Sequence, residues 1–99
     1  ELLFYIPNAF TPDGDEYNNI FIPQFGAGYS PDNYSLVIYN RWGETIFESK
    51  DLSYGWDGTL AGIPVQNGVF TWKMSLQSSE YAVESDIRRE YYGHVNLLR

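Results

Sequence analysis

The chain has 99 residues, six basic against thirteen acidic side chains, a net charge of −7 and no cysteine. A surface of that sign repels phosphate backbones and anionic headgroups, which argues against nucleic acid as a partner. No apolar run approaches the ~20 residues a membrane helix requires, and no disulfide can hold the fold.

The length suits a single domain spanning residues 1–99. Hydrophobic residues make up 43% and aromatics 18%, with nine tyrosines. That richness favours an all-β domain built on aromatic cross-strand pairs. The lack of cysteine suits either a reducing compartment or a bacterial surface protein.

In chain order, residues 2–6 form the first strand candidate, ended by Pro7. Residues 8–19 collect Pro, Gly, Asp and Asn and read as a loop. Residues 20–22 are a short strand stopped by Pro23, and residues 24–33 a connection. Residues 34–49 predict a β-hairpin, because residues 36–39 and 45–47 are β-branched or aromatic around a compact turn. Gly43 suits the left-handed position closing a three-residue loop. With Asn40 opposite Glu44, Ile38 faces Ile46 and Val37 faces Phe47. The aliphatic face (Leu36, Ile38, Ile46) is expected in the core, and apolar cover on both faces predicts a central hairpin.

Trp56-Asp57-Gly58-Thr59 predicts a tight turn, with Asp57 bonding backbone N–H groups ahead of it and Gly58 at positive φ. Residues 62–68 read as a small excursion ending in Asn-Gly. Residues 69–76 alternate cleanly: Phe70, Trp72, Met74 and Leu76 share one face. Residues 77–86 are polar and acidic, either strand or loop, and residues 93–98 are the last strand. No segment carries a helical period. The pattern predicts an antiparallel β-sandwich of about seven strands.

Catalysis finds little support in these residues. His94 is the single histidine, and a general base needs a partner nucleophile. No carboxylate pair stands out for glycoside hydrolysis, so the expectation is a non-enzyme. Residues 13–19 place oxygen-bearing side chains at alternate positions beside Gly14, and Asp13, Asp15, Asn18 and Asn19 form a candidate calcium set. The same residues also make an ordinary turn held by Asx bonds to backbone N–H groups. Trp42 and Tyr39 could offer a sugar-stacking platform, or simply pack. Arg41 could stack on a ring or pair with a carboxylate.

Several pieces then fall in a specific order: Ile6-Pro7-Asn8-Ala9-Phe10-Thr11-Pro12, Ile38-Tyr39-Asn40-Arg41-Trp42-Gly43, Gly55-Trp56-Asp57-Gly58-Thr59, Gly68-Val69-Phe70-Thr71-Trp72 and Gly93-His94-Val95-Asn96-Leu97-Leu98-Arg99. In these motifs the chain resembles the gliding-motility-associated C-terminal domain, the type B sorting domain of the type IX secretion system of Bacteroidota. The Trp-Asp-Gly and Gly-Val-Phe pieces are also similar to Ig-like domains of flagellar hook-capping proteins, and that resemblance implies an all-β fold that is an Ig-like antiparallel β-sandwich of about seven strands. The chain departs from the family's loop pattern at Asp13, Glu16 and Asn19, where Asn, Gly and Asp are usual.

The resemblance implies a C-terminal address on a larger exported protein, commonly an adhesin, whose export leader sits at the far N-terminus of that parent. It implies passage through the periplasm to the cell surface or medium. It implies recognition by a PorP/SprF-type outer-membrane partner and translocon components, with peripheral attachment to the outer membrane through that partner. No cofactor is expected beyond calcium. Candidate contacts are Arg41, Trp42, Trp56, Asp57, Gly58, His94 and Arg99, each of which also has a folding role available. Two other functions fit the same residues: a carbohydrate-binding module centred on Trp42 and Tyr39, and a structural Ig-like spacer followed by further domains.

Overall fold

The computed structural model describes residues 4–12, 19–26, 32–77 and 88–99. These residues form strands and no helix: β1 (Phe4–Tyr5), β2 (Ala9–Phe10), β3 (Gln24–Phe25), β4 (Asp32–Tyr39), β5 (Thr45–Ser49), β6 (Thr59–Leu60), β7 (Ile63–Pro64), β8 (Gly68–Gln77) and β9 (Arg88–Leu97). The main sheet has the order β2-β9-β8-β4-β5, and β1-β3 and β6-β7 form two small ladders. The result is an all-β sandwich.

The alternation of β8 organises the core. Phe70, Trp72, Met74 and Leu76 are buried on its inner face. Register sets Ile38 and Gly93 on either side of Trp72, and Leu36 and Tyr91 on either side of Met74. Residues directly opposite share a face, so one row of side chains crosses three strands. Phe21 and Trp56 close over this face through a two-hydrogen-bond bridge, Phe21 N to Trp56 O at 2.8 Å and Trp56 N to Phe21 O at 2.9 Å. Phe10 and Phe70 flank the Trp56 ring at centroid distances of 5.4 and 5.1 Å. Each such ring contributes about 1.5–3 kcal/mol by burial alone. At the other end, Phe4 of β1 meets Tyr91 edge-on at 4.9 Å.

Trp72 and Gly93 are fitted to one another. A Cβ on Gly93 would lie 2.7 Å from Trp72 Cε2, inside van der Waals contact. The strand therefore takes glycine where the indole crosses it, and the ring covers the bare backbone.

The hairpin corrects two expectations. β4 lies inside the sheet, but β5 is its edge: the apolar cover on Phe47 is spent on Tyr54, whose ring lies 5.5 Å away, not on a neighbouring strand. The register also shifts. Tyr39 faces Thr45 as expected, but Ile38 faces Phe47 and Val37 faces Glu48. Ile46 is the extra residue of a β-bulge. The bulge leaves Leu36, Ile38 and Ile46 all buried, while turning Phe47 to pack against the same core.

The strands outnumber the seven expected because β2, β3, β6 and β7 have two residues each, too few to show alternation. Two of them, β2 and β3, lie in stretches that read as loops, whereas the stretch around Phe21 makes a single bridge. β2 runs parallel to β9, so the main sheet is mixed. β9 starts at Arg88, earlier than residue 93, and pairs with β8 along its full length. Most of residues 77–86 lie outside the described residues.

Candidate recognition surface

The β4–β5 turn is built by Asn40. Its Oδ1 accepts from the backbone N–H of Trp42 at 2.9 Å and of Glu44 at 3.0 Å. Its Nδ2 donates to Glu44 Oε1 at 2.7 Å. Backbone bonds from Asn40 N to Glu44 O and from Gly43 N to Asn40 O close the loop, both at 3.0 Å. Gly43 takes φ +83°, which lets the three-residue loop turn without a Cβ clash. This scaffold holds Trp42 out into solvent, 71% exposed. The Arg41 guanidinium carbon stacks 4.5 Å from the Trp42 ring centroid, a cation–π contact.

The second turn faces inward. Trp56 is fully buried, and its Nε1 donates to Thr59 O at 2.9 Å. Asp57 Oδ1 accepts from Thr59 N at 3.1 Å and from Thr59 Oγ1 at 2.7 Å, the Asx arrangement read from the sequence. Gly58 has φ +85° and is itself buried. The same device recurs nearby, where Asp51 Oδ1 accepts from Ser53 N at 2.9 Å and Ser53 Oγ at 2.7 Å. Those bonds, the backbone one foremost, hold the Asp51 carboxyl below its ordinary range.

Arg99 reaches the second turn from below. Its Nη2 donates to Gly58 O at 3.0 Å, and its Nη1 donates to Val65 O. Both acceptors belong to the stretch around β6 and β7, so one guanidinium ties that ladder to the end of β9. His94 stands apart on the outer face of the main sheet, opposite Thr71. With Tyr39, Thr71 and Tyr92 it lines an open depression.

The candidates thus divide by position. Arg41 and Trp42 are displayed together, Trp56, Gly58 and Arg99 are joined around the inner turn, and His94 is on another face. Tyr39 lines the His94 depression, and Trp42 borders a separate recess. Of the calcium set, Asp13, Asp15 and Asn18 lie outside the described residues. Asn19 is half-buried, and its Oδ1 is buried without a hydrogen-bond partner among the described residues. Among the described residues no three His, Cys, Asp or Glu side chains gather as a metal cluster.

The recess beside Trp42 is a feature that sequence reasoning missed. It has a volume of ≈ 250 Å³ and lies between the β4–β5 turn, the β6–β7 ladder and the start of β8. Ile46, Val65 and Phe70 line its interior, and Trp42, Leu60 and Val69 are exposed at its rim. Val69 was legible as an apolar residue on the outward face of β8, but nothing in the sequence joins it to Trp42.

The fold and its surface define a small all-β domain with rigid, side-chain-buttressed turns. Comparison with known families makes the class specific. The family model of the CHU_C type IX secretion signal domain matches residues 4–92. The chain belongs to that family, and so is a sorting module of the type IX pathway, carried by a protein exported to the cell surface or extracellular space. None of the curated proteins and none of the solved structures matches it.

Proposed function

We propose that the chain is the C-terminal sorting domain of a larger surface protein, an adhesin, and that it directs export by binding a PorP/SprF-type outer-membrane partner of the translocon. The family membership supports the sorting role. The observation that carries the contact is the β4–β5 turn, where a fully buttressed loop displays Arg41 and Trp42 to solvent. A rigid exposed aromatic beside a guanidinium is the kind of anchor that dominates protein interfaces, because little side-chain entropy is lost on docking. The protein passes through the periplasm in transit and attaches to the outer membrane through its partner. Its work is recognition, not catalysis.

The test is an export assay. Residues 1–99 are fused behind a signal-peptide-bearing fluorescent protein in a bacterium that has the type IX system and the matched partner. Surface or secreted reporter that becomes periplasmic when the translocon is disabled supports sorting. A folded fusion that stays periplasmic with the partner present contradicts sufficiency and favours the spacer role.

A calcium ion is a second, separate proposal. The unpartnered Asn19 Oδ1 favours it, since buried oxygens are normally satisfied; Asp13, Asp15 and Asn18 would complete the donor set. Calcium over chelator should raise the melting temperature of the chain and not that of an Asn19→Ala variant. Equal melting temperatures with and without calcium would exclude a folding-linked ion.

A further inference from the structure

We infer that the recess beside Trp42 is an anchor pocket for an extended peptide segment of a protein partner, taking an apolar side chain followed by a carboxylate. The inference rests on the sorting role in taking the partner to be a protein, and it goes further in naming the chemistry that is recognised.

Shape and charge both point this way. The recess, ≈ 250 Å³, has an apolar interior of Ile46, Val65 and Phe70, which suits one aliphatic or aromatic side chain. Its walls come from the β4–β5 turn, β5, the stretch around β6 and β7 and the start of β8, and Trp42 and Val69 stand 71% and 53% exposed at the rim. The chain carries a net charge of −7, yet among the described residues no carboxylate lines this recess. Glu44, at the back of the turn, is held by the Asn40 amide. Among the described residues the lining holds a single charge, the Arg41 guanidinium. Among the described residues Arg41 pairs with no carboxylate, and its contact is the Trp42 ring. A guanidinium carries N–H donors in a planar fork that matches a carboxylate. An apolar hole next to a cation that no carboxylate neutralises among the described residues, on a chain of net charge −7, complements an apolar-acidic segment. A neutral apolar ligand would leave the cation unused, and a basic one would be repelled by it.

The experiment follows the backbone and indole resonances of the 99-residue chain while a capped hexapeptide is added. The peptide carries phenylalanine followed by aspartate in a glycine-serine frame. Two control peptides replace the phenylalanine by alanine or the aspartate by asparagine. Trp42 is the one exposed tryptophan, so its indole N–H reports directly. The expected result is saturable shifts at Arg41, Trp42, Leu60, Val65 and Val69, with a Kd on the order of 1 mM for a single anchor. Each control peptide should bind at least about fivefold more weakly, and Arg41→Glu should reverse preference toward a lysine-containing peptide.

No shifts at about 10 mM peptide, shifts centred on another surface, or equal binding of the asparagine peptide would overturn the inference. So would an oligosaccharide shifting these resonances at lower concentration than the peptide. Concentration-dependent shifts of the same residues without peptide would assign the recess to a second copy. The two readings separate cleanly. Export that survives loss of peptide binding in Arg41→Glu removes the pocket's role and leaves sorting intact. Peptide binding by a chain that is never exported removes sorting and leaves the pocket.

Discussion

Arg99 donates from Nη2 to the carbonyl oxygen of Gly58 at 3.0 Å, across 41 residues of sequence. Its other donor to the Val65 carbonyl makes the contact a clamp. The Gly58 end is tightly fitted: a Cβ there would lie 2.9 Å from Pro12 Cγ and 3.0 Å from Arg99 Nη2. One candidate contact residue thereby has a visible structural task.

Arg99→Ala should therefore lower stability by about 1–2 kcal/mol, the usual range for hydrogen bonds from a charged donor after discounting for exposure. Urea denaturation checks this. Lysine, which cannot fork to two carbonyls, should recover less than half. An alanine variant as stable as the parent would show that the clamp contributes nothing to folding and would free Arg99 for a partner.

Replacing Arg41 and Trp42 together by alanine should cut surface export at least tenfold while changing unfolding free energy by less than about 0.5 kcal/mol. Both side chains are exposed, and exposed substitutions away from caps and cores are usually near neutral. The turn itself should persist, because Asn40 uses main-chain donors that alanine retains. Undiminished export of the folded double variant would contradict the proposed contact.

Gly93→Ala should destabilise by about 1–3 kcal/mol through overpacking against Trp72. Shortening the ring with Trp72→Phe should relieve part of that loss, so the double variant should be more stable than the sum of the singles implies. Strict additivity in a double-mutant cycle would mean that the two residues do not share the strain. Trp72→Phe also deletes a buried indole N–H that has no hydrogen-bond partner among the described residues, which lessens its own cost.

Tyr34 makes the stability pH-dependent at the alkaline end. Its phenol is buried and is pushed up from 10.0 to about 12, by desolvation first and by the negative charge of Asp51 second. The folded state therefore holds this proton more tightly than the unfolded chain does. The contribution is complete below pH 10 and is lost as pH rises through about 12. Tyr34→Phe should flatten the fall in melting temperature between those values. It should not lower stability at neutral pH, since the hydroxyl it removes has no hydrogen-bond partner among the described residues. Parallel pH profiles for the two proteins would assign the alkaline loss to other groups.

Much of the fold was legible because it is local. Phe70, Trp72, Met74 and Leu76 alternate, so the strand and its buried face follow from period two. Gly43 and the Asp57-Gly58 pair announce their turns, because positive φ and Asx bonding are properties of residue type. The motif order from Ile6 to Arg99 was enough to suggest the family. Tertiary packing decided the rest. The bulge at Ile46 follows from the need to bury Ile46 and Phe47 together, which no rule of alternation contains. The edge position of β5 depends on Tyr54 covering Phe47. Two-residue strands such as Ala9–Phe10 exist only because β9 offers hydrogen bonds to them. The grouping of candidate residues was likewise invisible: the sequence shows Trp42 and Trp56 as two aromatic turn residues, and only packing puts one in solvent and the other in the core. The recess beside Trp42 joins residues from positions 40 to 70, and its lack of carboxylates among the described residues is a property of the surface, not of any segment.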